Sequence, residues 1–169
     1  MALRAISLTK RHYPTDFEKL VDIQRTLIWV TLKGTREYDF VQDYVRELVR
    51  LARQAFAPPD FQRSANLKFA GEVLYDIGLE YRQNGLDGGP RFQESLGYRR
   101  EALALIRVHF KQDARVPADH LHSISVHLRE TGQLDEAEEL ATEALSLRRT
   151  LDDPRFPTDA MFVCASEGN

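Results

Sequence analysis

The sequence predicts an all-α fold of stacked antiparallel helical hairpins, and three observations predict it. Apolar residues recur at spacings of three and four with no run of strict alternation, which is helical periodicity. Gly and Pro punctuate the chain at roughly helix-length intervals, with short connections that make consecutive helices antiparallel neighbours. Part of the sequence also repeats itself, with a period of 42 residues (101 against 143).

Each element has its own signals. A first helix is expected from about Thr15 to Leu32, with Thr15 and Glu18 in the form of a capping box and Gly34 as the stop. A second runs from about Glu37 to Phe56, with Phe40, Tyr44, Leu48, Leu51 and Ala55 on one face, and Pro58-Pro59 ends it. The third spans about Phe61 to Gln83 and closes at Asn84-Gly85. The stretch 86–90 is a loop leading to a fourth helix, about Arg91 to Phe110. Pro117 opens a fifth that ends near Thr131-Gly132, and a sixth runs from about Leu134 to Leu151. Thr158 to Ala165 reads as the start of one more.

Composition narrows the class. At 169 residues the chain is one ordinary domain, with 43% apolar and 29% charged residues. Its formal charge is −3 and its basic residues are interspersed with acids, so it lacks the basic stripe that nucleic acid needs. Cys164, the single cysteine, allows neither an internal disulfide nor a multi-Cys zinc site. Apolar runs such as Leu27–Val30 are far too short to span a bilayer. Residues 1–13 carry Arg4, Lys10 and Arg11 without an acid, which suits a tail, a short helix or an organelle presequence. The expectation is a cytoplasmic protein.

The repeat has a physical reading. Glu101 to Arg107 and Glu143 to Arg149 are identical at five of seven positions. Upstream, Leu74, Ile77, Gly78, Tyr81 and Gly85 stand against Leu121, Ile124, Ser125, Leu128 and Gly132, each 47 residues apart. The extra five residues are the length of the 86–90 loop, an insertion in one repeat. Small Gly78 or Ser125 is expected to let two helix backbones approach closely. Gly85 or Gly132 would take the left-handed turn that reverses the chain. Ala137, Ala141 and Ala144 form a small-residue ridge on the second helix. A single hairpin of this kind cannot bury both faces, so it stacks on the next.

These residues resemble the tetratricopeptide repeat. Leu74-x-x-Ile77-Gly78-x-x-Tyr81-x-x-x-Gly85 is similar to its first helix, and Gly132 with Ala137, Ala141 and Ala144 to its turn and second helix. The period, with Pro117-x-Asp119 and Pro157-x-Asp159 opening successive repeats, is similar to the longer variant of kinesin light chains and bacterial relatives. The resemblance covers about half of the chain and implies a right-handed stack, an α-solenoid of about three hairpins plus a C-terminal half-repeat. Residues 1–60 would be a degenerate or capping hairpin, 61–116 and 117–156 two repeats, and 157–169 a partial repeat or tail. Ser95 and Arg99 depart from the small or aromatic residues usual at their positions.

No constellation points to an enzyme. His120, His122 and His127 share one predicted helix, but no two stand four apart and no His-Glu-x-x-His occurs, so a surface or groove role is expected and no metal. Cys164 lacks an evident base, the Gly85–Gly89 loop lacks a Gly-Lys-Ser/Thr, and Glu136, Glu138 and Glu139 read as a solvated face. No cofactor is expected.

The resemblance implies instead a concave groove lined by the first helix of each repeat, and a protein- or peptide-binding adaptor or scaffold. Carried over by position, the groove residues are Tyr75, Leu79 and Arg82, then His122, Val126 and Arg129, with Gln24, Ile28 and Thr31 as loose counterparts. Two inward guanidiniums suit an acidic or carboxylate-bearing ligand. The Lys and Asn of the family's chaperone-tail clamp are replaced by Tyr75, Leu79, His122 and Val126, so that ligand is not expected. The alternatives are a self-association module dimerising through Phe156, Met161, Phe162 and Val163, and the regulatory domain of a signalling system.

Overall fold

A computed structural model describes residues 15–34, 38–109 and 114–149. Among them are six α-helices and no strand: α1 (Phe17–Gly34), α2 (Tyr38–Ala55), α3 (Phe61–Gln83), α4 (Gly89–His109), α5 (Arg115–Glu130) and α6 (Leu134–Arg149). They fall into two compact units dividing after Leu105, the first with α1, α2, α3 and most of α4, the second with the last turn of α4, α5 and α6. Within the first, α2 packs on α1 and α3; within the second, α5 packs on α6. The expected C-terminal half-repeat, Cys164 and the basic residues 1–13 lie outside the described residues.

Helix ends follow local chemistry. Asp16, not Thr15, caps α1, its carboxylate accepting from the Lys19 N–H at 3.1 Å. A carboxylate at that position also meets the positive end of the helix dipole, which a hydroxyl does not. Asp60 caps α3 in the same way, accepting from the N–H groups of Gln62 (2.7 Å) and Arg63 (3.3 Å). α4 begins two residues earlier than expected, so Gly89 and Pro90 belong to the helix rather than to the loop. Likewise Pro117 sits inside the first turn of α5. A proline costs nothing there, because the first-turn N–H groups have no intrahelical acceptor.

α3 and α5 end alike. Gly85 (φ 73°) and Gly132 (φ 80°) occupy the left-handed region. The N–H of Leu86 reaches the Tyr81 carbonyl at 2.8 Å and that of Gly85 reaches Arg82 at 3.0 Å. In α5 the matching bonds run from Gln133 to Leu128 at 2.9 Å and from Gly132 to Arg129 at 3.1 Å. Both pairs are Schellman turns, which satisfy the last carbonyls while reversing the chain.

The core of the first unit lies where α1, α2 and α3 meet, with Ile28, Val41, Val45, Leu48, Leu67, Leu74 and Ile77 fully buried. Each large aliphatic side chain removed from water contributes about 1.5–3 kcal/mol before the entropy of ordering is subtracted. On α2 the buried stripe runs through Val41, Val45, Leu48 and Ala52. Phe40, expected on that face, points outward and is 52% exposed, because the stripe is centred one residue later. Gln24, Ile28 and Thr31 are also buried, so they form core rather than groove; the Gln24 amide donates to the Tyr44 carbonyl at 2.9 Å.

A polar ladder joins α2 to α4 along one side. Arg46 donates twice to the Glu94 carboxylate, both at 3.0 Å. Seven residues on along both helices, Arg53 donates to Glu101 at 2.5 and 3.3 Å, and Arg63 of α3 joins it at 3.1 Å. Burial pushes the Glu94 and Glu101 carboxyls up, but the hydrogen bonds and charges of their arginines outweigh it and leave both below the ordinary range. Tyr98, which donates to Glu94 at 2.9 Å, is pushed up to about 12 by burial and by that carboxylate. In the second unit Glu143, the repeat equivalent of Glu101, accepts from Arg107 of α4.

Candidate functional site

Two glycines set the geometry between α3 and α4. A Cβ at Gly78 would lie 2.6 Å from the Phe92 ring, and one at Gly71 would lie 2.7 Å from Arg99 and 3.1 Å from the Ser95 carbonyl. Gly71 and Gly78 are seven apart, as are Phe92 and Arg99 on the antiparallel neighbour. Each glycine therefore takes one bulky partner. Gly78 makes room for the Phe92 ring, and its carbonyl oxygen also meets the chain at Gly88, where a Cβ would lie 2.4 Å away; a further close approach falls at Gly71. There Ser95 donates to the Gly71 carbonyl at 2.5 Å, which explains a small hydroxyl at that buried position.

A ladder of rings and guanidiniums is built on this contact. The Arg82 guanidinium stands over the Phe92 ring at 4.6 Å. Phe92 and Tyr75 follow at 5.6 Å between centroids, and Arg99 lies 5.6 Å from the Tyr75 ring. Tyr75 and Leu79 are half-buried and Arg82 is exposed. Tyr75 and Arg82 are thus brought together through Phe92, an α4 residue. Each cation–ring contact contributes about 0.5–1 kcal/mol when exposed and more when desolvated. Burial pulls Arg99 down, opposed by the charges of Glu72 and Asp76, while Asp76 is raised by its own burial against the pull of Arg99.

Tyr81, whose repeat position suggested a helix-packing role, anchors a second cluster. Its hydroxyl donates to Asp39 at 2.7 Å, its ring meets Tyr38 edge-on at 6.3 Å, and Arg91 covers its face at 4.1 Å. This ties the end of α3 to the starts of α2 and α4.

In the second unit, Asp119, His122, Val126 and Arg129 follow spacings of 3, 4 and 3, one stripe of α5. His122 and Val126 are half-buried and Arg129 is exposed. Arg148 of α6 reaches across to Asp119 at 2.6 Å. His122 is pulled below its ordinary value, first by burial and then by Arg148 and Arg129, with Asp119 opposing. His120 and His127 are buried, correcting the expectation of a surface or groove role. They fall on the buried side of α5 together with Leu121, Ile124 and Leu128. Ala137 and Ala144 are the buried positions of α6.

Phe92, Arg99, Asp119 and Arg148 escaped sequence reasoning. All four stand outside the first-helix positions carried over from the repeat: Phe92, Arg99 and Arg148 lie on the second helix of a hairpin, and Asp119 is reached from Arg148. The seven-residue glycine spacing on α3 was a usable signal, because it requires bulky residues seven apart on the neighbour. Among the described residues, no group of three or more His, Cys, Asp or Glu side chains is placed to hold a metal ion. No helix among them is long and apolar enough to cross a membrane.

The sequence matches no protein-family model and no curated protein. Among solved structures, the chain is similar to the crystal structure of BtubC (BKLC) from P. vanneervenii. Identity is 16%, with 91% of this chain covered and a TM-score of 0.39. This chain spans 65% of the length of that one.

Proposed function

We propose that the protein is a binding module for acidic protein or peptide segments, with a contact set on each unit taken by itself: Tyr75, Leu79 and Arg82 on the first, and His122, Val126 and Arg129 on the second. The observation that carries this reading is the equivalence of Arg82 and Arg129. Both are exposed, and each occupies the same position in its Schellman turn, two residues before the cap. Each also has a half-buried apolar neighbour one turn earlier, Leu79 or Val126. An apolar floor beside a guanidinium suits a peptide that presents a carboxylate next to an aliphatic or aromatic side chain.

Modest contact area and the cost of ordering a peptide set the expected affinity at about the micromolar level. The test is fluorescence anisotropy with a labelled glutamate-rich peptide bearing a free C-terminus, and a lysine-rich peptide as control. Arg82→Glu combined with Arg129→Glu is expected to weaken binding at least about tenfold, consistent with loss of charge-assisted hydrogen bonds. Unchanged affinity in the double variant would remove these residues from the site.

A further inference from the structure

We propose a second interaction surface, on the outward side of α1, whose partner is the same face of a second copy of this chain. At 100° per residue, Glu18, Asp22, Arg25, Thr26, Trp29 and Lys33 fall within about 100° of one another around the helix. Their burial follows this placement. Glu18, Asp22, Thr26 and Lys33 are exposed, Trp29 is 51% exposed and the adjoining Val30 64%. Asp22, Arg25, Thr26, Trp29 and Val30 line a shallow depression. Trp29 is the only tryptophan in the chain, and it lies here rather than in the core.

The charges along this stripe select the partner. The N-terminal half presents Glu18 and Asp22, and the C-terminal end presents Lys33, whose ammonium stands 4.5 Å from the Trp29 ring. A two-fold axis near Arg25 and Thr26 lays two such helices antiparallel. Glu18 of one copy then faces Lys33 of the other, twice, and both tryptophans enter the shared surface. A stripe with Glu18 and Asp22 in its first half, Trp29 and Lys33 in its second, and the half-buried Arg25 held over the Phe69 ring at its middle is complementary to its own antiparallel image, which is the requirement of an isologous interface. Tryptophan in such a place is the usual centre of binding energy. A single helix face buries less than the roughly 1,200 Å² of a tight complex, so the dimer is weak, with a Kd of roughly 10–100 µM.

The experiment is sedimentation equilibrium of the full chain from about 1 µM to about 1 mM, with Trp29 emission read over the same range. The expected result is a monomer–dimer equilibrium with emission shifting to the blue as the dimer forms. Trp29→Ala weakens it at least about tenfold. Glu18→Lys and Lys33→Glu each abolish self-association. An equimolar mixture of those two variants forms a heterodimer, and the chain carrying both substitutions dimerises again. All three substitutions lie at exposed positions, and unchanged circular dichroism confirms folding. A monomer throughout, or a dimer indifferent to Trp29→Ala or to the charge reversals, overturns the proposal. This surface does not depend on the peptide-binding reading, since none of its residues is shared with Tyr75, Arg82, His122 or Arg129.

Discussion

Replacing Glu101 by alanine should destabilise the first unit several times more than the same change at Glu143 destabilises the second. The two glutamates hold the same place in the repeated Glu-Ala-Leu-x-Leu sequence, yet their surroundings differ. Glu101 is 28% exposed and bridges Arg53 to Arg63, whose side chain is only 16% exposed. Among the Arg63 atoms, Nε is already buried without an acceptor. Removing Glu101 leaves that guanidinium largely shielded from water and without its counter-charge, at a cost of about 1–3 kcal/mol for a stranded polar group. The bond to Arg53 adds little, because Arg53 is 45% exposed and resolvates; exposed pairs contribute about 0–1 kcal/mol. The sum is roughly 1–4 kcal/mol, a large part of a typical total of about 5–15 kcal/mol. At Glu143 both partners are nearly half exposed, 42% against 47% for Arg107, so the loss is about 0.5 kcal/mol. Urea unfolding followed by circular dichroism measures the difference, and hydrogen exchange locates it in the correct unit. Equal losses for the two variants would refute the argument from burial.

Three further expectations follow from the same contacts. Glu94 and Glu101 have folded-state values below their ordinary value of 4.5. The stability they contribute is therefore present above about pH 4.5 and lost as the pH falls through the depressed values; Glu101→Gln should remove part of this acid sensitivity in urea melts at successive pH values. Gly78→Ala sets a methyl 2.6 Å from the Phe92 ring, so overpacking of about 1–3 kcal/mol opposes a helix-propensity gain of about 1 kcal/mol. The change should be destabilising in the natural chain but stabilising in a Phe92→Leu background, and a double-mutant cycle decides it. His122 should titrate below 6.5 by NMR, rise in Arg148→Ala and fall further in Asp119→Asn, and an unmoved His122 in both variants would remove those charges from its surroundings.

Much of the fold was legible because the punctuation is physical. Gly85 and Gly132 are needed wherever the backbone turns left-handed, so their alignment exposed the repeat. The third helix was readable end to end, since Pro58-Pro59 ends the helix before it and Asn84-Gly85 closes it. Errors arose where several residues compete for one role. Thr15 and Asp16 both suit a cap, and the helix dipole favours the carboxylate. Phe40 is the larger apolar residue, but the period of the helix places Val41 in the core. The candidate site was legible only in its first-helix half. Phe92, Arg99 and Arg148 enter through tertiary contact, which periodicity along one helix does not encode. The polarity of His120 and His127 likewise argued for the surface, and the stripe they occupy overrode it.

The most direct test of the central claim is a two-dimensional NMR titration of the full chain with the glutamate-rich peptide. The account predicts saturable shifts concentrated at residues 75, 79, 82, 122, 126 and 129 and their neighbours on α3 and α5. Shifts confined to other helices, or none at micromolar to millimolar peptide, would contradict it.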